Sequence, residues 1–307
     1  MKARMAFKSG FVAIVGRPNA GKSTLVNTLV GRKVSIVSPR PQTTRNRIQG
    51  ILNRKDAQIV LVDTPGIHKP DSLLNRQMMD EVSQAIEGID VLSLIVDATA
   101  ADLGPGERFA LEWIRRFKGP TFLLLNKIDR MRKQHLLPLI DRYRREFEFT
   151  EIFPISAITG DGCPELVTAW LQHLPEAPPL FPPDQFTDQP ERFLAAEIIR
   201  EKAILTSKDE VPHAIAVLVD GFEEKPKLIR IRATIYVERE GQKGILIGAG
   251  GATIKKIGTD ARQELESILG AHIFLELFVK VQPNWRQNEA LVRQLDWRRQ
   301  LEQLSTE

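Results

Sequence analysis

Short runs of apolar, β-branched residues recur along the first half of this 307-residue chain. FVAIVG (11–16), AQIVLVDT (57–64), VLSLIVDA (91–98), TFLLLNK (121–127) and EIFPISA (151–157) each have the length of a buried strand. Amphipathic stretches separate them, from Lys22 to about Leu29 and again in ERFALEWIRRF (107–117). The alternation predicts an α/β domain over residues 1–174, a mostly parallel sheet with helices on both faces.

Residues 175–190, PEAPPLFPPDQFTDQP, carry six prolines in sixteen positions. Neither helix nor sheet continues through such a stretch, and it reads as a linker. The pattern then changes. ERFLAAEIIREKAILTS (191–207) reads as a helix, HAIAVLVDGFEE and KLIRIRATIYVER as a strand pair, and AHIFLELFVKVQ (271–282) as a third strand. With helical stretches flanking residues 244–258, the order is α-β-β-α-α-β, a smaller α+β domain over 191–307. The tail NWRQNEALVRQLDWRRQLEQL reads as one more amphipathic helix.

Length and composition suit about two soluble domains. The single Cys163 permits no internal disulfide and points to a reducing compartment; with five scattered histidines, a zinc site is not expected. MKARMAFKSG has no secretory apolar region, and Asp97 breaks VLSLIVDATAA below the length of a membrane span. A net charge of +4 hints at a polyanionic partner.

Two glycine-rich loops carry the chemistry. The first, Gly16, Arg17, Pro18, Asn19, Ala20, Gly21, Lys22 and Ser23, followed by Thr24, fits G-x-x-x-x-G-K-[ST] between a strand and a helix. Backbone N–H groups and the helix dipole there face phosphates. Lys22 is expected to reach the β/γ oxygens and Ser23 to bind Mg²⁺. Asp63-Thr64-Pro65-Gly66 ends the second long strand. Its carboxylate can hold the metal through water, and the Gly66 N–H can meet the γ-phosphate. Asn126-Lys127-Ile128-Asp129 ends the strand TFLLL. Asp129 is suited to accept from guanine N1–H and the 2-amino group, both absent from adenine, and such a site discriminates strongly. Ile155-Ser156-Ala157 is expected to supply a backbone N–H to the guanine oxygen. All four pieces fall at C-terminal ends of strands, the ligand edge of open α/β sheets.

Residues 11–175 thus resemble the P-loop GTPase family, which implies GTP and GDP as ligands with Mg²⁺ as cofactor. The resemblance places a first switch at PRPQTTRNR (39–47), with the metal-binding threonine at Thr44 and Thr43 as the alternative. Lys22, Thr44 and Gly66 are the expected catalytic groups. Where Ras-like enzymes carry a water-positioning glutamine, this chain has Ile67, so slow intrinsic hydrolysis is expected. In similar GTPases with a hydrophobic residue there, the P-loop asparagine, here Asn19, helps bind K⁺.

The second loop, GILIGAGGATIKKIG (244–258), fits neither a dinucleotide fingerprint nor a P-loop, because Ala249 and Thr253 stand where glycine is needed. Ile247, Gly248, Ala249, Gly250, Gly251, Ala252, Thr253 and Ile254 do fit I-G-x-x-G-x-x-I. With the flanking element order this resembles a KH domain, of type II. Such a loop clamps the backbone of about four unpaired RNA nucleotides. Lys255 and Lys256 follow and add salt-dependent attraction. Between its glycines this loop carries Ala249 and Gly250 rather than a basic residue, which shifts phosphate contact towards the backbone.

Together the halves resemble the Era family of bacterial GTPases, from about Phe11 to Val281. The resemblance implies a cytoplasmic role in assembly of the small ribosomal subunit, with the KH domain on the single-stranded 3′ end of its ribosomal RNA. RNA, not DNA, is the partner implied, and a monomer is expected. The family also associates with the cytoplasmic face of the inner membrane; Arg286, Arg293, Arg298 and Arg299 of the tail are candidates for that contact, whereas Trp285 and Trp297 read as packing residues. Two readings stay open: a switch whose nucleotide state controls RNA holding, and a constitutive RNA-binding module that GTP merely stabilises.

Overall fold

Strand β1 (Lys8–Val15) sends Val12 and Ile14 to one side of a sheet and Ala13 and Val15 to the other, and helices cover both sides. The structure is a computed structural model, and it describes residues 7–100, 103–207 and 211–298. Five more strands complete the sheet: β2 (Ile48–Asn53), β3 (Ala57–Asp63), β4 (Val91–Asp97), β5 (Thr121–Asn126) and β6 (Glu151–Pro154). Their order is β2-β3-β1-β4-β5-β6, and every pair is parallel except β2 with β3.

Helices α1 (Lys22–Val30) and α5 (Cys163–His173) cover the Val12 side with Leu25, Val26, Leu166 and Trp170. Helices α2 (Leu73–Ile86), α3 (Pro105–Ile114) and α4 (Leu136–Glu146) cover the other with Met79, Val82, Leu111, Ile114 and Leu139. Strand β5 divides its side chains the same way, Phe122 and Leu124 against Leu123 and Leu125. Each large aliphatic side chain so buried contributes about 1.5–3 kcal/mol. The buried Trp170 donates Nε1–H to Ser93 Oγ at 3.0 Å, so its one polar group is satisfied.

The expected mostly parallel sheet is present, but the antiparallel edge strand β2 was not foreseen. Its sequence IQGILN has glycine at its centre and no long apolar run. The proline-rich segment also departs from the linker reading. Up to Asp188 it is a strap on the first unit. Gln58 Oε1 accepts from the N–H groups of Leu180 and Phe181, and Phe186 O accepts from Ile51 N–H at 2.9 Å. Thr187 Oγ1 donates to Gln49 O at 2.8 Å. The strap thereby satisfies backbone groups that an edge strand exposes.

The chain divides into two units. One holds the chain to Val37, Gln42–Pro70 and Gln77–Asp188; the other holds Ser38–Pro41, Asp71–Arg76 and the chain from Gln189. In the second unit, α6 (Glu191–Thr206) precedes the antiparallel pair β7 (Ala216–Lys225) and β8 (Leu228–Val237). Then come α7 (Glu240–Ile247), α8 (Ala252–Leu269) and β9 (His272–Val281), which lies parallel to β8. This is the expected α-β-β-α-α-β order. Strand β8 buries Ile231, Ala233 and Ile235 while Arg230 and Arg232 face outward. Helix α8 meets that core with Ile257, Ala261 and Leu265, a stripe at i, i+4, i+8.

The tail is not one helix among the described residues. A 3₁₀ turn, Trp285–Gln287, leads into the short α9 (Glu289–Gln294), which the Asn288 side chain caps by accepting from Leu291 N–H. Trp285 and Trp297 are buried, as expected for packing residues. Arg286 pairs with Glu238, Arg293 pairs with Glu289 and Arg298 lies over the Trp297 ring; Arg299 lies outside the described residues. No helix among the described residues is long and apolar enough to cross a membrane.

Candidate functional site

The loop after β1 brings residues 16–24 to the edge where β1, β3 and β5 end. Helix α1 begins at Lys22 with no side chain capping it, so its first N–H groups stay open to a ligand. Gly21 permits this closeness: a Cβ there would lie 2.1 Å from Asn126 Nδ2. Asn126 bridges two loops, donating to Ala20 O at 2.7 Å and accepting from Ala157 N–H at 2.8 Å.

Lys22 is buried, and its ammonium donates to Arg17 O at 2.9 Å and Gly16 O at 3.2 Å. Burial pulls its pKa down to about 8, against the opposing attraction of Asp63. Asp63, fully buried at the end of β3, has its carboxyl pushed up by the same burial; Lys22 and the hydroxyls of Ser23, Ser35 and Thr44 pull the other way. Ser23 Oγ donates to Asp63 Oδ2 at 2.7 Å and lies 2.9 Å from Thr44 Oγ1. Asp63 Oδ1 is buried without a partner. Two hydroxyls beside an orphaned carboxylate oxygen form the hard oxygen set that suits Mg²⁺ and its waters. Thr44 is buried in this cluster and Thr43 only half-buried. Ser35, which the sequence reading missed, joins through a turn held by Asn27, whose side chain accepts from the N–H of Val34 and Ser35 and donates to Ser35 O.

Not every expected residue faces a ligand. Thr64 turns its hydroxyl into the sheet, donating to Ile14 O at 2.9 Å. Ile67 is 1 % exposed; its N–H donates to Gly16 O and its side chain joins Val15, Met79 and Val82 in the core. A side chain so held positions no water.

At the base end, Asp129 is exposed and accepts from Ser156 Oγ at 2.6 Å. In the turn expected to face the guanine oxygen, Ser156 N–H donates to Asp161 O within the 156–161 turn and Ala157 N–H donates to the Asn126 side chain. Lys127, with φ of 70°, pairs with Asp97 at 2.6 Å.

In the second unit, Ile247 ends α7 and Gly248, Ala249, Gly250 and Gly251 form the turn into α8. A Cβ on Gly248 would lie 2.2 Å from Thr253 Oγ1, so the turn closes only around glycine. Ala249 and Gly250 are exposed, and α8 starts without a side-chain cap. Lys255 and Lys256 are exposed, with Lys256 paired to Asp260 at 2.8 Å. Beside them runs a groove of about 330 Å³ between Ile254, Lys255, Gly258, Thr259 and Arg262 of α8 and Leu275 and Leu277 of β9. Arg262, Leu275 and Leu277 were not singled out from sequence, although one helix face and alternate strand positions carry the pattern.

Comparison with known proteins agrees with this architecture. The family model described as "50S ribosome-binding GTPase" matches residues 11–127, and a KH domain model matches residues 210–286. GTPase Era of Syntrophus aciditrophicus is 49 % identical, covering 95 % of each chain. GTPase Era of Ruminiclostridium cellulolyticum is 45 % identical over 96 % of this chain and 99 % of its own. A crystal structure of Era with MgGDPNP and nucleotides 1506–1542 of 16S ribosomal RNA superposes with a TM-score of 0.92 at 44 % identity, covering 95 % of this chain and 99 % of that one. The chain is a GTPase and belongs to the Era family.

Proposed function

We propose that this GTPase is a molecular switch in assembly of the small ribosomal subunit, binding the single-stranded 3′ end of its ribosomal RNA. The domains of this reading are residues 1–174 and 191–307, acting in the cytoplasm as a monomer. The observation that carries it is the Gly248–Gly251 turn, which leaves the α8 N-terminus uncapped beside a half-apolar groove. Phosphates suit the turn and α8 N-terminus, with Ile247, Thr253, Lys255 and Lys256 around them, and splayed bases suit the groove. An Era relative crystallised with 16S ribosomal RNA supports the choice of RNA.

In the nucleotide site, residues 16–24 cradle the phosphates and Lys22 meets the β/γ oxygens. Ser23 and Thr44 are the direct Mg²⁺ ligands, with Asp63 acting through water. Mg²⁺ supplies charge neutralisation on the phosphate oxygens when bound. Gly66 offers its N–H to the γ-phosphate. Asp129, oriented by Ser156, reads guanine, while Asn126 and Lys127 hold the wall of the base site. With Ile67 in the core, intrinsic hydrolysis is slow. Asn19 is assigned to K⁺ as a source of missing positive charge; equal hydrolysis rates in K⁺ and Na⁺ at matched ionic strength sink that assignment. Arg286 and Arg293 already pair within the chain, so a membrane contact has little support from the tail.

Binding of labelled RNA from the small-subunit 3′ end, against a scrambled control, tests the reading. It is run with a GTP analogue, with GDP, and with Ala249→Asp/Gly250→Asp. Selective binding that the variant loses and nucleotide modulates is expected. Equal affinities in both nucleotide states point to a constitutive module, and indifference to RNA sequence and to the variant sinks the RNA assignment.

A further inference from the structure

Arg17, the residue after Gly16, directs its side chain away from the phosphate loop to helix α3, where its guanidinium meets Glu107 Oε1 at 2.5 Å. Gly106 makes room: a Cβ there would lie 2.5 Å from Arg17 Nε. Glu107 Oε2 is buried with no partner, so among the described contacts the compensation of this carboxylate comes from Arg17. Beside the loop lies a partly open pocket of about 180 Å³ bordered by residues 17–20, residues 94–97 of β4, Ala100, Glu107 and Ala110. The ion pair ties the loop to α3 across this pocket. Arg17 is also one of the two residues whose carbonyls hold the Lys22 ammonium.

We propose that Arg17 and Glu107 form a brace between the phosphate loop and α3 that positions Lys22 for GTP hydrolysis. They are positioning residues: Glu107 acts through Arg17, and Arg17 acts through its own carbonyl on Lys22. This rests on Lys22 as the phosphate-binding lysine. Because the brace fixes geometry rather than contacting the ligand, its loss is expected to fall more on the rate than on GDP affinity, which retains the other phosphate contacts of the loop.

The test uses the full-length protein, with single-turnover GTP hydrolysis, GDP affinity and Tm measured for each variant. Arg17→Ala and Glu107→Gln are each expected to slow hydrolysis roughly two- to fivefold, the range of an ion pair with one half-exposed partner. The double variant is expected to be no slower than either single one, and the swapped pair Arg17→Glu/Glu107→Arg to recover most of the rate. Gly106→Ala separates positioning from folding. Alanine in the first turn of α3 favours the helix and raises or preserves Tm, yet it displaces Arg17 and slows hydrolysis by a similar factor. Additive losses, or Gly106→Ala at the wild-type rate, overturn the brace. Lys22→Ala at the wild-type rate overturns both the brace and the assignment of the site beneath it.

Discussion

Ser23 and Asp63 stand forty residues apart in the chain, yet Ser23 Oγ donates to Asp63 Oδ2 at 2.7 Å, with Thr44 Oγ1 2.9 Å from the same hydroxyl. The three elements that deliver them are a helix N-terminus, a strand C-terminus and the loop before β2. Their convergence explains why Asp63 tolerates complete burial: three hydroxyls and Lys22 oppose the desolvation that pushes its carboxyl up. Ser23→Ala removes the proposed Mg²⁺ ligand and the donor to Asp63 together. GDP affinity in Mg²⁺ is expected to drop roughly tenfold or more, the scale of a lost charge-assisted contact. Fluorescent-GDP titrations with Mg²⁺ and with EDTA check this, and the variant should show almost no difference between the two.

The two candidate threonines separate by burial. Thr44 is buried against Ser23 Oγ, whereas Thr43 is only half-buried. Thr44→Ala is expected to slow single-turnover hydrolysis at least tenfold, a loss of about 1.4 kcal/mol or more from the transition state. Thr43→Ala should hydrolyse close to the wild-type rate. The reverse result would move the metal ligand to Thr43.

Asp129 is held by Ser156 Oγ on one oxygen, leaving its other oxygen for a base. Asp129→Asn exchanges an acceptor for a donor at that edge. Affinity for GDP is expected to fall by roughly two orders of magnitude or more while xanthosine diphosphate, which carries a carbonyl in place of the 2-amino group, gains. Competition titration with the two nucleotides reads the switch directly.

How far the sequence discloses this architecture depends on where the information sits. The parallel strands were legible because their apolar runs are dictated by burial on both faces, as Phe122–Leu125 illustrate. The phosphate loop was legible because glycine, lysine and serine at fixed spacing have one mechanical use. Strand β2 was not, since an edge strand needs little apolar sequence, and its partner strap is held by side chains such as Gln58 whose reach no local pattern reveals. Nor was the closure of Ser156 and Ala157 N–H groups on Asp161 and Asn126, which depends on the exact path of a tight turn. Ser35 beside Asp63 and the Arg17–Glu107 pair are products of tertiary approach alone.

Cys163 sits buried at the first turn of α5, and burial, with Asp161 and Glu165 nearby, pushes its thiol from an ordinary 9.0 up to about 11. At pH 8 its thiolate fraction is then about a hundredfold below that of an exposed thiol, partly offset by the greater nucleophilicity of a more basic thiolate, so alkylation of the native protein should be slower by about tenfold or more. The folded pKa lies above the unfolded one. Its stabilising effect is therefore complete below pH 9 and is lost as pH rises towards about 11, where the unfolded chain releases its proton first. Iodoacetamide labelling followed by mass spectrometry, native and in denaturant, checks the first point. Rapid native labelling would show that the α5 turn opens readily.

The glycines of the second loop predict two different failures. Gly248 has φ of 72° and ψ of 174°, and a Cβ there would collide with Thr253 Oγ1, Cβ and N. Gly248→Ala is expected to cost about 1–3 kcal/mol of stability, because only glycine occupies that backbone region freely. Ala249 and Gly250 are exposed, and nothing lies within 4 Å of a Cβ on Gly250. Gly250 has φ of 58°, a left-handed conformation that costs an aspartate about 1–2 kcal/mol, so Ala249→Asp/Gly250→Asp is expected to lower Tm by several degrees without unfolding the domain, while two carboxylates now oppose any phosphate at the α8 N-terminus. RNA affinity is expected to fall at least tenfold, with a shallower dependence on salt. Paired thermal melts and RNA titrations at two salt concentrations separate the effects. A stable variant that binds RNA as before would remove the turn from the interface and leave the groove of Arg262, Leu275 and Leu277 to act without it.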